Sequence, residues 1–108
     1  AARLGDELLE TARAKGIRYN LAVICRAMGV YARTAGTPEK AEALLEESRD
    51  LFRAMDCPWE LGRTYRELAL LRRDQGRADE AAVLLKDALS LFEAVGAVPD
   101  IERTHSLI

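Results

Sequence analysis

Shifted against itself by 40 residues, the sequence brings Ala41, Leu44, Leu45, Leu51, Phe52, Ala54, Arg63 and Thr64 onto Ala81, Leu84, Leu85, Leu91, Phe92, Ala94, Arg103 and Thr104, eight identities in 28 aligned positions. Chance agreement from composition falls well short of that. A period of this length marks a chain assembled from supersecondary units that cannot each cover their own apolar surface and must stack to do so. The same shift carries Arg26 onto Arg66, Arg33 onto Arg73 and Gly36 onto Gly76, so the repeat reaches back towards the N-terminus.

Within a unit the apolar spacing is helical. Ala81, Leu84, Leu85, Ala88, Leu91, Phe92 and Val95 recur at i, i+3, i+4, i+7, i+10, i+11 and i+14, and the run from Ala41 to Met55 repeats them with Ser48 in one slot. Leu21, Cys25, Met28, Gly29 and Ala32 form a matching stripe before it, and Leu61, Tyr65, Leu68 and Ala69 one between. No stretch alternates with the period of a strand. Thr37 followed by Pro38 and Glu39 reads as an N-cap with proline in the first turn, Pro58 and Pro99 open later helices the same way, and Gly16, Gly36, Gly76 and Gly96 stand where helices should end.

The reading is therefore helices over about 2–15, 18–35, 38–55, 59–75 and 78–95, with a stub from 99. Loops of two to four residues force neighbours antiparallel. One all-α domain over 1–108 is expected, about two and a half hairpins plus the terminal stub. Gly5 and Ala12 occupy the slots that hold Leu45 and Phe52, which suits an outer helix, while Ile101, Leu107 and Ile108 are an expected interface to further repeats or a second copy. The absence of an initial Met and of a polar tail reads as a piece of a longer protein.

The residues between paired helices carry a family pattern. In the leading helix, Cys25 precedes Met28-Gly29 and Tyr65 precedes Leu68-Ala69; Gly36 and Gly76 close the turn; in the following helix stand Ala81, Leu85 and Ala88, and Ala41 and Leu45 with Ser48 in the last slot. Over nearly the whole chain this resembles the tetratricopeptide repeat. The resemblance implies antiparallel hairpins stacked as a right-handed α-solenoid that acts as a non-catalytic protein-binding scaffold. The period is 40 where that family has about 34, and Arg53 and Glu93 stand where a proline often closes the second helix. Units of this length are similar to the helical arrays of large bacterial transcription regulators and signalling proteins, which implies a sensor or partner-binding region.

Composition narrows the function classes. A charged fraction of 31% beside 49% hydrophobic residues excludes a disordered tail, and no apolar run is long enough for a helical membrane span. The net charge of −2 argues against a nucleic-acid binder. Cys25 and Cys57 belong to no CxxC or metal-ligand spacing and read as reduced thiols of a cytoplasmic protein. Arg outnumbers Lys thirteen to three, a bias common in GC-rich bacterial genomes. His105 is the one histidine, and no phosphate loop, nucleophile elbow, HExxH or paired-carboxylate site occurs, so neither catalysis, a metal nor a cofactor is expected.

Charge sorts by helix. Residues 17–36 hold three Arg and no acid and residues 58–77 five Arg and three acids, whereas residues 38–56 hold six acids to three bases and residues 78–97 four acids to one. In stacked hairpins the leading helices line the concave side. The expected groove residues are Val23, Arg26, Val30 and Arg33 from one leading helix and Arg63, Arg66, Leu70 and Arg73 from the next, with Arg63 also able to pair with Glu67. Arginines at this spacing suit carboxylates of an acidic peptide or partner domain, with Val30 and Leu70 adding apolar contact. Trp59 is expected to staple its loop to the next helix or to serve as a binding contact. The competing expectation is a structural segment that assembles through apolar end helices and binds nothing in the groove.

Overall fold

The computed structural model describes the backbone of residues 2–108 and the side chains of residues 14–108. Five α-helices follow one another: α1 (Ala2–Thr34), α2 (Pro38–Ala54), α3 (Pro58–Asp74), α4 (Ala78–Val95) and α5 (Val98–His105). No strand occurs among the described residues.

All four turns close in one way. Gly36, Asp56, Gly76 and Gly96 take left-handed φ values of 82, 53, 75 and 69°. The next residue then reaches back five positions with its amide, Thr37 to the Ala32 carbonyl (3.0 Å), Cys57 to Phe52 (3.0 Å), Arg77 to Arg72 (2.8 Å) and Ala97 to Phe92 (3.0 Å). These bonds satisfy carbonyls that the helix end leaves free and stop the helix within one turn. Proline at the start of α2, α3 and α5 costs no hydrogen bond there. Thr37, expected to cap α2, instead donates its hydroxyl to the Ala32 carbonyl (3.1 Å), because the tight turn aims it back at α1.

The helix ends fall within about a residue of expectation except at Gly16. Separate helices over 2–15 and 18–35 are one continuous α1 of 33 residues, about 50 Å at 1.5 Å per residue, close to the molecule's 56 Å longest dimension. Glycine inside a helix costs about 1 kcal/mol against alanine but does not forbid it. Breaking the helix there would give up a turn of backbone hydrogen bonds, and only burial elsewhere could offset that loss. The outer-helix reading of Gly5 and Ala12 lies outside the residues whose side chains are described.

Each helix packs on its neighbour in sequence, and α1 also approaches α3. Small residues on the leading helices admit large ones from the following helices. A Cβ at Gly29 would stand 2.7 Å from Leu45 Cγ, and one at Gly62 would stand 2.8 Å from Phe92 Cε1. The repeat equivalents cluster alike, Ala69 with Leu85 and Ala22 with Phe52. Phe52, Phe92, Leu45 and Leu85 are essentially fully buried, each worth about 1.5–3 kcal/mol of transfer free energy. Cys25, Gly29 and Ala32 join this core as expected from spacing, but Leu21 and Met28 do not. They are exposed, because α2 approaches α1 on its small-residue side.

Candidate protein-interaction site

Val23, Arg26 and Val30 from α1 and Arg63 and Arg66 from α3 come together, with Ala27 and Glu67, around a concavity of about 360 Å³. Arg33, Leu70 and Arg73 are not among its lining residues.

The arginines meet their partners within the chain. Arg26, 9% exposed, holds Nη1 2.7 Å from Glu60 Oε2, donates to the Glu60 carbonyl and lies 5.4 Å from the centre of the Phe52 ring. Arg66, 6% exposed, donates to Asp100 Oδ1 at 3.0 Å and lies 5.5 Å from the Phe92 ring centre. The two sets are one repeat apart at every member: Arg26 and Arg66, Phe52 and Phe92, Glu60 and Asp100. Arg33 donates to Asp74 Oδ2 at 2.8 Å, and its Nε has no acceptor. Arg73 donates to the Leu107 carbonyl. Arg63 stacks 4.9 Å from the Trp59 ring centre and pairs weakly with Glu60 Oε1 (3.6 Å) rather than with Glu67.

The carboxylates that Arg26 and Arg66 were expected to take from a partner are thus supplied by the next leading helix. The reason is energetic. A guanidinium this deep needs an anion and hydrogen bonds to offset its lost hydration. Glu60 and Asp100 sit in the first turns of α3 and α5, where the helix dipole also favours an acid.

Asp100 receives bonds from Trp59 Nε1 (2.8 Å) and Arg66. Burial pushes its carboxyl upward, but these two bonds and the charges of Arg66 and Arg63 outweigh burial and hold it below the usual carboxylate value. Trp59 is accordingly tied to α5. Of the expected end interface, Leu107 packs against the Ala69, Ala81 and Leu85 cluster, Ile101 is half-buried, and Ile108 is exposed. His105 is exposed on α5.

The surface that spacing analysis missed lies on α1. Ile17, Leu21, Ile24, Met28 and Tyr31, at steps of four, three, four and three, form one apolar stripe with exposures of 68, 42, 54, 47 and 74%. At its C-terminal end Met28 and Tyr31, with Ala32, Ala35, Thr37 and Lys40, border an apolar hollow of about 480 Å³. One repeat on, the same slots hold Cys57, Leu61, Thr64, Leu68 and Leu71, and these face α2. Leu61 packs with Phe52, Leu68 and Leu71 pack with Leu45 and Ala41, and Thr64 Oγ1 lies 3.3 Å from Ser48 Oγ. On α1 the equivalent slots are exposed, with no helix packed over them among the described residues. The stripe's signal in the sequence was a helix apolar on two faces, a small one through Ala22, Cys25, Gly29 and Ala32 and a large one beside it.

Compared with known proteins, the chain matches no family model, no curated protein and no solved structure. Among the described residues, no group of three or more His, Cys, Asp and Glu side chains could hold a metal ion, and no helix is long and apolar enough to cross a membrane.

Proposed function

We propose that this chain is a non-catalytic interaction module of tetratricopeptide-like hairpins, and that it takes a helical polypeptide on the apolar face of α1. The observation that carries the reading is the stripe of Ile17, Leu21, Ile24, Met28 and Tyr31, exposed where the equivalent residues of α3 are covered by α2. The ligand is an amphipathic helix laid antiparallel to α1, because that is how the seat one repeat on is filled. Its apolar side contributes buried area, and helix-in-groove recognition of this kind reads i, i+3, i+4 and i+7 anchors. The repeated turns and the small-to-large contacts between paired helices support the solenoid-like arrangement behind this reading.

The test is direct. A fluorescent peptide with the sequence of residues 38–55, the helix that fills the equivalent seat on α3, is titrated into the full chain. It should bind wild type and Val83→Glu, a control on exposed α4 surface. Ile24→Glu and Met28→Glu should abolish binding while the helical circular dichroism stays unchanged. Equal binding by all four proteins would refute the assignment.

A second reading keeps the groove for an acidic partner. It draws on the concavity between α1 and α3. Arg63, the most exposed arginine that lines it, would carry it, since Arg26 and Arg66 are committed internally. Binding of a poly-glutamate peptide that is lost at high salt and on Arg63→Glu would favour it.

A further inference from the structure

The repeat register identifies what belongs on the α1 stripe. Residues 1–15 align with residues 41–55, the α2 segment, with Ala1, Leu4, Glu7, Arg13 and Ala14 identical to Ala41, Leu44, Glu47, Arg53 and Ala54. The contact that joins α2 to α3 at its middle is polar on both sides, Ser48 against Thr64 at 3.3 Å. Its equivalent forty residues earlier is Leu8 with Ile24, apolar on both sides. Leu8 and Ile24 thus match in character as Ser48 and Thr64 do, although the third unit pairs Ala88 with Thr104 at these slots.

Gly16 completes the pattern. It occupies the slot of Asp56 and Gly96, which turn the chain at φ 53 and 69°. In the continuous α1 nothing calls for glycine there, since a Cβ would meet no atom within 4 Å and glycine inside a helix is unfavourable. A left-handed turn at that position does call for it.

We propose that residues 2–15 form a hinged helix that folds back at Gly16 and seats antiparallel on the stripe of residues 17–31, in the register α2 takes on α3. The continuous α1 is the open state and exposes the seat; the folded state covers it. The inference rests on the reading of the stripe as a helix seat and names its internal occupant. An outside helix then competes with residues 2–15, and its apparent affinity falls by the fraction of molecules in the folded state.

The experiment uses the full chain with Cys25→Ala and Cys57→Ser, carrying Leu8→Cys and Ile24→Cys. Mild oxidation at low micromolar concentration should give an internal disulfide at a rate independent of concentration, with the mass still 12.0 kDa. Adding Gly16→Ala should slow closure about tenfold, because a Cβ disfavours the left-handed turn. In the titration above, Leu8→Glu should tighten the peptide by freeing the seat. Disulfide-linked dimers in place of the internal bridge would assign the seat to a second copy and overturn the proposal. No bridge at all, with the peptide still bound, would overturn it too while leaving the stripe as a helix seat. A bridge that forms normally while the peptide fails to bind even the Leu8→Glu variant would uphold the hinge and remove the outside ligand.

Discussion

Removing the Glu60 carboxylate should be one of the most damaging single changes available in this chain. Glu60→Ala leaves the Arg26 guanidinium, at 11% side-chain exposure, without its anion 2.7 Å away. Deleting one partner of a buried pair costs about 3–5 kcal/mol. Arg26 keeps the residue 60 carbonyl as an acceptor and the Phe52 ring beneath it, so the low end applies, about 3 kcal/mol. At about 4–8 °C per kcal/mol for a domain of this size, the melting midpoint should drop by about 12–24 °C. The double variant Arg26→Met, Glu60→Leu removes both charges and keeps apolar volume, so it should recover to within about 1 kcal/mol of wild type. Urea unfolding followed by circular dichroism at 222 nm measures all three proteins. A Glu60→Ala cost below about 1 kcal/mol, or a double variant no better than the single, would show that the pair is not what joins α1 to α3.

Other outcomes follow from the same contacts. Gly29→Ala forces a Cβ to 2.7 Å from Leu45 Cγ and should destabilise by about 1–3 kcal/mol, read as a lower urea midpoint. Asp56→Gly relieves a left-handed non-glycine residue and should raise thermal stability by up to about 1 kcal/mol. Because Asp100 is held below its unfolded value of about 3.9, its contribution is fully present above that value and is lost as pH falls through the lower folded value. An acid titration of Asp100→Asn should therefore lack part of the stability loss that wild type shows there. Burial, and then Glu47, push the Cys25 thiol upward, so a thiol reagent at pH 8 should label half-buried Cys57 first and reach Cys25 only as the chain unfolds.

The turns were legible because glycine and proline act locally. Gly36 and Gly76 mark left-handed positions by residue type alone, and Pro38 and Pro58 mark first turns. Gly16 misled for the same reason: it permits a turn without compelling one, and the outcome depends on what the two flanking helices can bury. The arginine slot was also visible, at Arg26 and Arg66, but its meaning was not. The partners lie 34 residues away in both cases and differ in type, Glu60 and Asp100, so a search for identical residues passes over them. A solvated helix face and a buried arginine bridge have the same spacing, and only packing separates them. Likewise Leu21 and Met28 fit a core stripe by period, while the side from which α2 approaches is decided by Ala22, Gly29 and Ala32.

The arginine, phenylalanine and carboxylate triplet also sets the cooperativity of the stack. Each triplet spans three helices, so a hairpin holds a buried cation that remains uncompensated until the next leading helix arrives. Partial unfolding between hairpins would strand that charge, and the interface energy between units therefore weighs heavily against the stability of a unit alone. The eight residues of α5 illustrate how little is needed to satisfy it: one turn with Asp100 in place. A chain built this way should melt as a single unit rather than fray hairpin by hairpin, and the points at which it can be cut and still fold should lie after such a carboxylate, not before it.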